Sequence, residues 1–125
     1  MKHEKNISLV GWYVVSYLLR FVELNDEKRD DEQARFLSWE NTVLVRAGTL
    51  DEAYEKGMAL ALENAVPYKG GPDGEPVQWE LLGITEVLPI YEELADGAEI
   101  LWTERAPRKL RNLRQMVKPK GEFRQ

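Results

Sequence analysis

The sequence predicts an α+β domain: a single four-stranded antiparallel sheet with two helices on one face, in a ferredoxin-like β-β-α-β-β-α order. Three observations predict it. Alternating runs rich in Val and aromatics stand at 11–24, 38–47 and 77–88, with a shorter one at 98–103. A run with small residues at helical spacing opens at Thr49, and a second helical run follows Pro107. The 125 residues, 43% hydrophobic and 31% charged, suffice for one core and are too few for two. The chain 1–125 therefore reads as one domain, with 1–10 and 118–125 flexible.

Gly11 to Leu24 is the longest strand signal. Trp12, Val14, Leu18 and Val22 fall on one face and Tyr13, Val15, Tyr17, Leu19 and Phe21 on the other, so both faces need cover. Residues 25–37 form a polar, acidic loop with little to bury, expected to be mobile. Ser38 to Ala47 returns as the second strand of a hairpin, with Trp39, Val43 and Val45 opposite in facing to Leu44.

Thr49-Leu-Asp-Glu52 is a capping box: the Thr hydroxyl takes an orphan backbone N–H and the Glu reaches back. Along the helix, Ala53, Gly57, Ala61 and Ala65 make a small row for close approach to a sheet. Tyr54, Met58 and Leu62 make a larger row to fill its margin. The stretch Lys69–Pro76 is a turn-rich connection, and Val77 to Leu88 is the third strand, with Gly83 marking a bulge. A helical turn at 91–97 and a short strand, Ala98 to Thr103, precede the last helix. There Leu110, Leu113 and Met116 share one side.

Composition excludes several chemistries. With no Cys there is no disulfide framework, thiolate metal site or cysteine nucleophile, which fits a cytoplasmic protein. His3, the sole histidine, lies in a flexible terminus, so a Ser-His-Asp arrangement and a zinc site are not expected. The apolar run Ile7 to Leu24 is broken by Arg20 and Glu23, and no small-x-small site follows it, so no signal peptide or membrane anchor is expected. The acids Asp26, Glu27, Asp30, Asp31 and Glu32 lack calcium-loop spacing, and Lys69-Gly70-Gly71 matches no phosphate loop. No cofactor and no metal are expected.

Trp12-Tyr-Val-Val15, Glu40-Asn-Thr-Val-Leu-Val-Arg-Ala47 and Ala53-Tyr-Glu-Lys56 stand with Trp79-Glu-Leu-Leu-Gly-Ile84 and Asp96-Gly-Ala-Glu-Ile100. Together they resemble a small bacterial family known as domain of unknown function 4288, from about Trp12 to Trp102. The resemblance implies a bacterial origin and a self-contained small domain. It supplies no activity and no catalytic residues.

Three candidate surfaces remain. Trp39-Glu40, Trp79-Glu80 and Trp102 with Glu104 are Trp-Glu pairings whose carboxylates would converge if their strands were neighbours. Strand alternation, Trp in and Glu out, already explains two of them. If a small enzyme or ligand pocket lay between helix and sheet, Glu40, Arg46, Tyr54 and Glu80 would be its polar residues. Residues 105–125 carry eight basic groups and one acidic against a net of −12 in the preceding 104, so Arg105, Arg108, Lys109, Arg111, Arg114 and Lys118 form a basic interaction surface. Nucleic-acid binding through this basic helix is the second alternative reading, but no aromatic interleaves these cations and no nucleic-acid motif frames them, which favours a helix clamped on acidic protein surface, its own or a sister copy's. The sheet face without helices would expose aromatics, with Tyr13, Tyr17 and Phe21 as the candidate dimer face, so a homodimer is expected. The function these readings favour is a non-catalytic protein-interaction module, with an unidentified protein partner and no membrane.

Overall fold

The computed structural model describes residues 5–123. Its sheet is built around β1 (Trp12–Glu23), which pairs antiparallel with β2 (Ser38–Arg46) on one side and β4 (Glu75–Pro89) on the other. A short strand, β3 (Tyr68–Gly70), closes a hairpin onto the start of β4, giving the order β2-β1-β4-β3. The four-stranded antiparallel sheet and the α+β class are as the sequence predicts; the ferredoxin-like arrangement is not matched. The predicted fourth strand at 98–103 has no regular secondary structure and pairs with no strand among the described residues, and the turn-rich 69–76 contributes to β3 instead. A run of six residues after a glycine carries the right alternation, but alternation is a local signal and does not by itself supply a ladder.

β4 bears two register shifts against β1, flanking Ile84 and Gly83, so that Thr85 and Leu82 are extra residues on its side of the ladder. Gly83 takes φ 155, a conformation that side-chain-bearing residues rarely adopt. Such insertions bend the strand, and the sheet curls into a half-barrel. Beyond Val77, from Gln78 to Pro89, the outer edge of β4 carries no strand among the described residues.

The helix α1 (Leu50–Glu63) packs on one sheet face. The Thr49 side chain accepts from the Glu52 N–H at 3.1 Å, as the capping box requires, while the Glu52 carboxylate accepts from Gly48 N–H at 3.0 Å. Ala53, Gly57 and Ala61 are buried beneath it, facing Tyr13, Val15, Tyr17 and Leu19. Tyr54 and Leu62 are exposed rather than filling its margin. The space between helix and sheet is closed: a Cβ built on Gly57 would meet Val15 Cγ1 at 2.3 Å. The close approach at Gly57 leaves no room for a ligand between α1 and Val15.

The second helix, α2 (Leu110–Gln115), is six residues long and touches no other helix or strand among the described residues. The expectation that both helices lie on one face is therefore corrected. Its start lacks a side-chain cap and an acidic first turn, and its apolar stripe is too short to anchor alone. Residues 91–97 are bends and turns rather than a helical turn. The acidic loop is a series of turns: Asn25–Lys28 and Asp30–Gln33 are exposed, while Arg29, Ala34 and Phe36 are part-buried. Arg20 holds its base, donating to the Arg29 carbonyl at 2.7 Å and lying 4.6 Å from the Phe36 ring centre.

Candidate functional site

The pleat sends Trp12, Val14, Ser16, Leu18, Arg20 and Val22 to the face opposite α1. Cross-strand pairing brings Arg46 beside Trp12, Glu40 beside Leu18 and Glu80 beside Arg20, so three of the four candidate polar residues share this face. Tyr54 does not join them; it sits on α1, across the sheet. Glu40 and Glu80 are two strands and one side-chain repeat apart, about 12 Å between backbones. Each has its own partner. Glu80 pairs with the Arg20 guanidinium at 2.8 Å, and Glu40 accepts from the Thr85 hydroxyl at 2.6 Å. The Arg46 guanidinium lies 4.6 Å from the Trp12 ring centre, and Ser16 bonds Thr42 at 2.7 Å.

The carboxylates that the Trp-Glu pairings were expected to gather are thus held apart. Trp102 and Glu104 lie in the exposed C-terminal segment. Among the described residues the one clear pKa displacement belongs to Glu52: the Gly48 N–H lowers it, desolvation opposes, and Lys56 four residues on lowers it further. That serves the helix cap rather than chemistry. No group of three or more His, Asp or Glu side chains among the described residues could hold a metal, and His3 lies outside them.

The rings expected to form a dimer face are placed elsewhere. Tyr13 and Tyr17 are 0% and 2% exposed beneath α1, and Phe21 shares their face. The reason lies in parity: the odd-numbered side chains of β1 are the ones the small row of α1 covers. Tyr17 also accepts from Asn64 Nδ2, at 3.3 Å, where the helix ends.

Where that helix stops, a different surface begins. Fourteen residues of α1 run about 21 Å, whereas the twelve of β1 run about 40 Å, so the helix covers only part of the face. Beyond Ala61, Phe21 stands between Leu37 on β2's side and Trp79 on β4, with ring centres of Phe21 and Trp79 5.4 Å apart, edge to face. Trp39 lies 4.7 Å from Trp79, and Tyr68 opposes Val77 on the outer strand. Trp39 is 55% exposed and Tyr68 46%, which makes an aromatic patch on the surface rather than a core. On the hairpin side, Glu23, Asp73 and Glu75 rim a hollow of about 450 Å³ floored by Phe21, Tyr68 and Val77.

The second unpartnered surface is the C-terminal arm. Ile100, Leu101 and Trp102 are exposed, as are Leu110 (60%), Leu113, Met116 and Val117 (77%). Arg105, Arg108, Lys109, Arg111, Arg114 and Lys118 surround that stripe, exposed and without an ion pair among the described residues. Among the described residues the basic tail makes no ion pair with its own acidic body.

The family model of a domain of unknown function (DUF4288) matches residues 12–102. The chain belongs to the DUF4288 family. No curated protein and no solved structure matches it. The matched span holds the DUF4288 sheet, α1 and the aromatic patch, and it ends before α2 and its cations. No helix among the described residues is long and apolar enough to cross a membrane. The aromatic patch was not singled out from sequence, although a signal for it existed: a fourteen-residue helix cannot roof a twelve-residue strand.

Proposed function

We propose that this DUF4288 chain is a non-catalytic protein-interaction module whose contact element is its basic C-terminal arm. The observation that carries the reading is α2, with an apolar stripe in solvent, six cations around it and no contact with the remaining helices and strands. Exposed Leu, Met and Val at helical spacing gain about 25 cal/mol per Å² when another surface takes them out of water. The polar groups of the open face point the same way, since each is engaged by a neighbour rather than aimed at a shared point.

Native mass spectrometry of the full chain purified from its own host type tests this. A protein complex that disappears in the Leu110→Glu, Leu113→Glu variant is the expected result. A bare chain under all salt conditions, or bound nucleic acid in place of protein, refutes it.

A ligand-binding reading has one observation in its favour, at a different place from that expected. A hollow of about 680 Å³ lies at the end of β4, lined mainly by Val87, Leu88, Pro89, Tyr91 and Trp102. Thermal stabilisation by small apolar compounds, lost in Leu88→Glu, would support it; the absence of any shift across a panel would remove it.

A further inference from the structure

We propose that the aromatic patch at the uncovered end of the sheet is the docking site for α2 of a second copy of this chain, making a reciprocal, arm-exchanged dimer. The inference rests on the interaction-module reading and adds to it both the partner and the surface.

Three observations converge on it. The first is complementary chemistry. The patch has an apolar floor of Phe21, Trp39, Trp79 and Tyr68 and an acidic rim of Glu23, Asp73 and Glu75. The arm has an apolar stripe of Leu110, Leu113 and Met116 with Arg108, Arg111 and Arg114 beside it. A short amphipathic helix on a hydrophobic floor is a recurrent recognition mode, and opposite charge at the rim fixes its orientation.

The second is that both halves stand unpartnered in the same chain. Trp39 and Tyr68 are about half exposed, and α2 touches no other element. A twofold pair satisfies each arm and each patch twice over with one kind of contact, which is the economy of an isologous interface.

The third is position. The arm departs from the Pro89 end of the sheet, paired with Tyr13, whereas the patch lies at the Trp79 end, paired with Phe21. Those ends are eight residues apart along β1, about 27 Å. When two copies lie side by side in opposite directions, the arm end of each falls beside the patch end of the other. The eight residue steps from Trp102 to Leu110 extend to about 28 Å, enough to cross between them.

The test uses two charge-reversed full-length variants. One reverses the arm, Arg111→Glu with Arg114→Glu; the other reverses the rim, Asp73→Lys with Glu75→Lys. All four positions are exposed, so folding is left intact, checked by unchanged circular dichroism. Sedimentation equilibrium at low salt should give wild type twice the 14.5 kDa chain mass, weakening as salt rises. Each variant alone should lose at least tenfold in dimer affinity, and mixing the two should restore the dimer, because reversed arm meets reversed rim and native arm meets native rim. A monomeric wild type overturns the proposal. So does a dimer indifferent to either reversal, or a mixture that stays monomeric, as it would if the arm folded onto its own patch. A monomeric wild type that still binds a different protein through its arm would sink the self-docking proposal while leaving the interaction-module reading standing.

Discussion

Replacing Gly57 by Ala separates helix propensity from packing, because the two act with opposite sign at this position. In an exposed helix interior, Gly to Ala stabilises by about 1 kcal/mol. Here a Cβ would stand 2.3 Å from Val15 Cγ1 and 2.8 Å from Val15 Cβ, where ordinary carbon contacts are about 3.5–4 Å. Val15 is fully buried and its branched side chain has little rotamer freedom in a strand, so relief requires the helix to lift from the sheet by more than about 1 Å. Overpacking of this kind costs roughly 1–3 kcal/mol, and the lifted helix also loosens Ala53 and Ala61. The net expectation is a loss of about 1–2 kcal/mol, which for a chain of this length lowers Tm by about 4–8 °C. Urea and thermal denaturation followed by circular dichroism measure it, with Ala59→Gly at an exposed helix position as the propensity control. Adding Val15→Ala, itself costly, should recover part of the Gly57→Ala loss, a favourable coupling of about 1 kcal/mol. A Gly57→Ala variant as stable as wild type, or more so, refutes the close packing of α1 on Val15.

Thr49→Ala removes the helix cap and should cost about 1 kcal/mol in the same denaturation experiments. Glu52 is held below its usual range by the Gly48 N–H, so its stabilising effect is present above the carboxyl's unfolded pKa and is lost as pH falls through the lower folded one. Acid titration of stability should therefore flatten in Glu52→Gln, and an unchanged acid limb would contradict the assignment. Arg20→Met removes the Glu80 pair and the Arg29 carbonyl contact together; global stability should fall by about 1 kcal/mol while proteolysis within 25–37 quickens several-fold. Leu110→Glu with Leu113→Glu should leave the Tm of the isolated monomer within about 2 °C, because α2 supports nothing in its own chain.

What could be read from the sequence follows from how local each signal is. Strand alternation in 12–23 and the Thr49 to Glu52 cap are written in neighbouring residues, and both are present with boundaries shifted by one or two positions. The small row Ala53, Gly57, Ala61 announced a close helix–sheet contact because only small side chains permit one. The failures concern pairing across distance. Ala98 to Thr103 alternates like a strand but is given no ladder, and Tyr68 to Gly70 resembles turn sequence but finds Glu75 to Val77 across a tight connection. Which face of β1 the helix would take was open, since both faces are apolar; the expectation put Tyr13 and Tyr17 on the helix-free side as a dimer face, whereas they lie in the core beneath α1. Glu40, Arg46 and Glu80 do share a face, a consequence of parity, but nothing in residue spacing revealed that Arg20 and Thr85 would occupy two of them.

The uneven edge of β4 has a consequence for strand-on-strand assembly. Twelve residues without an outer neighbour would ordinarily offer a template on which strand after strand could be laid, the route to fibres. The extra residues Leu82 and Thr85 break that template into runs of four residues at most. An incoming strand meets a kinked track, and the backbone amides on either side of each kink no longer lie in one line. The same two insertions that curl the sheet therefore set a limit on its growth along the hydrogen-bonding direction.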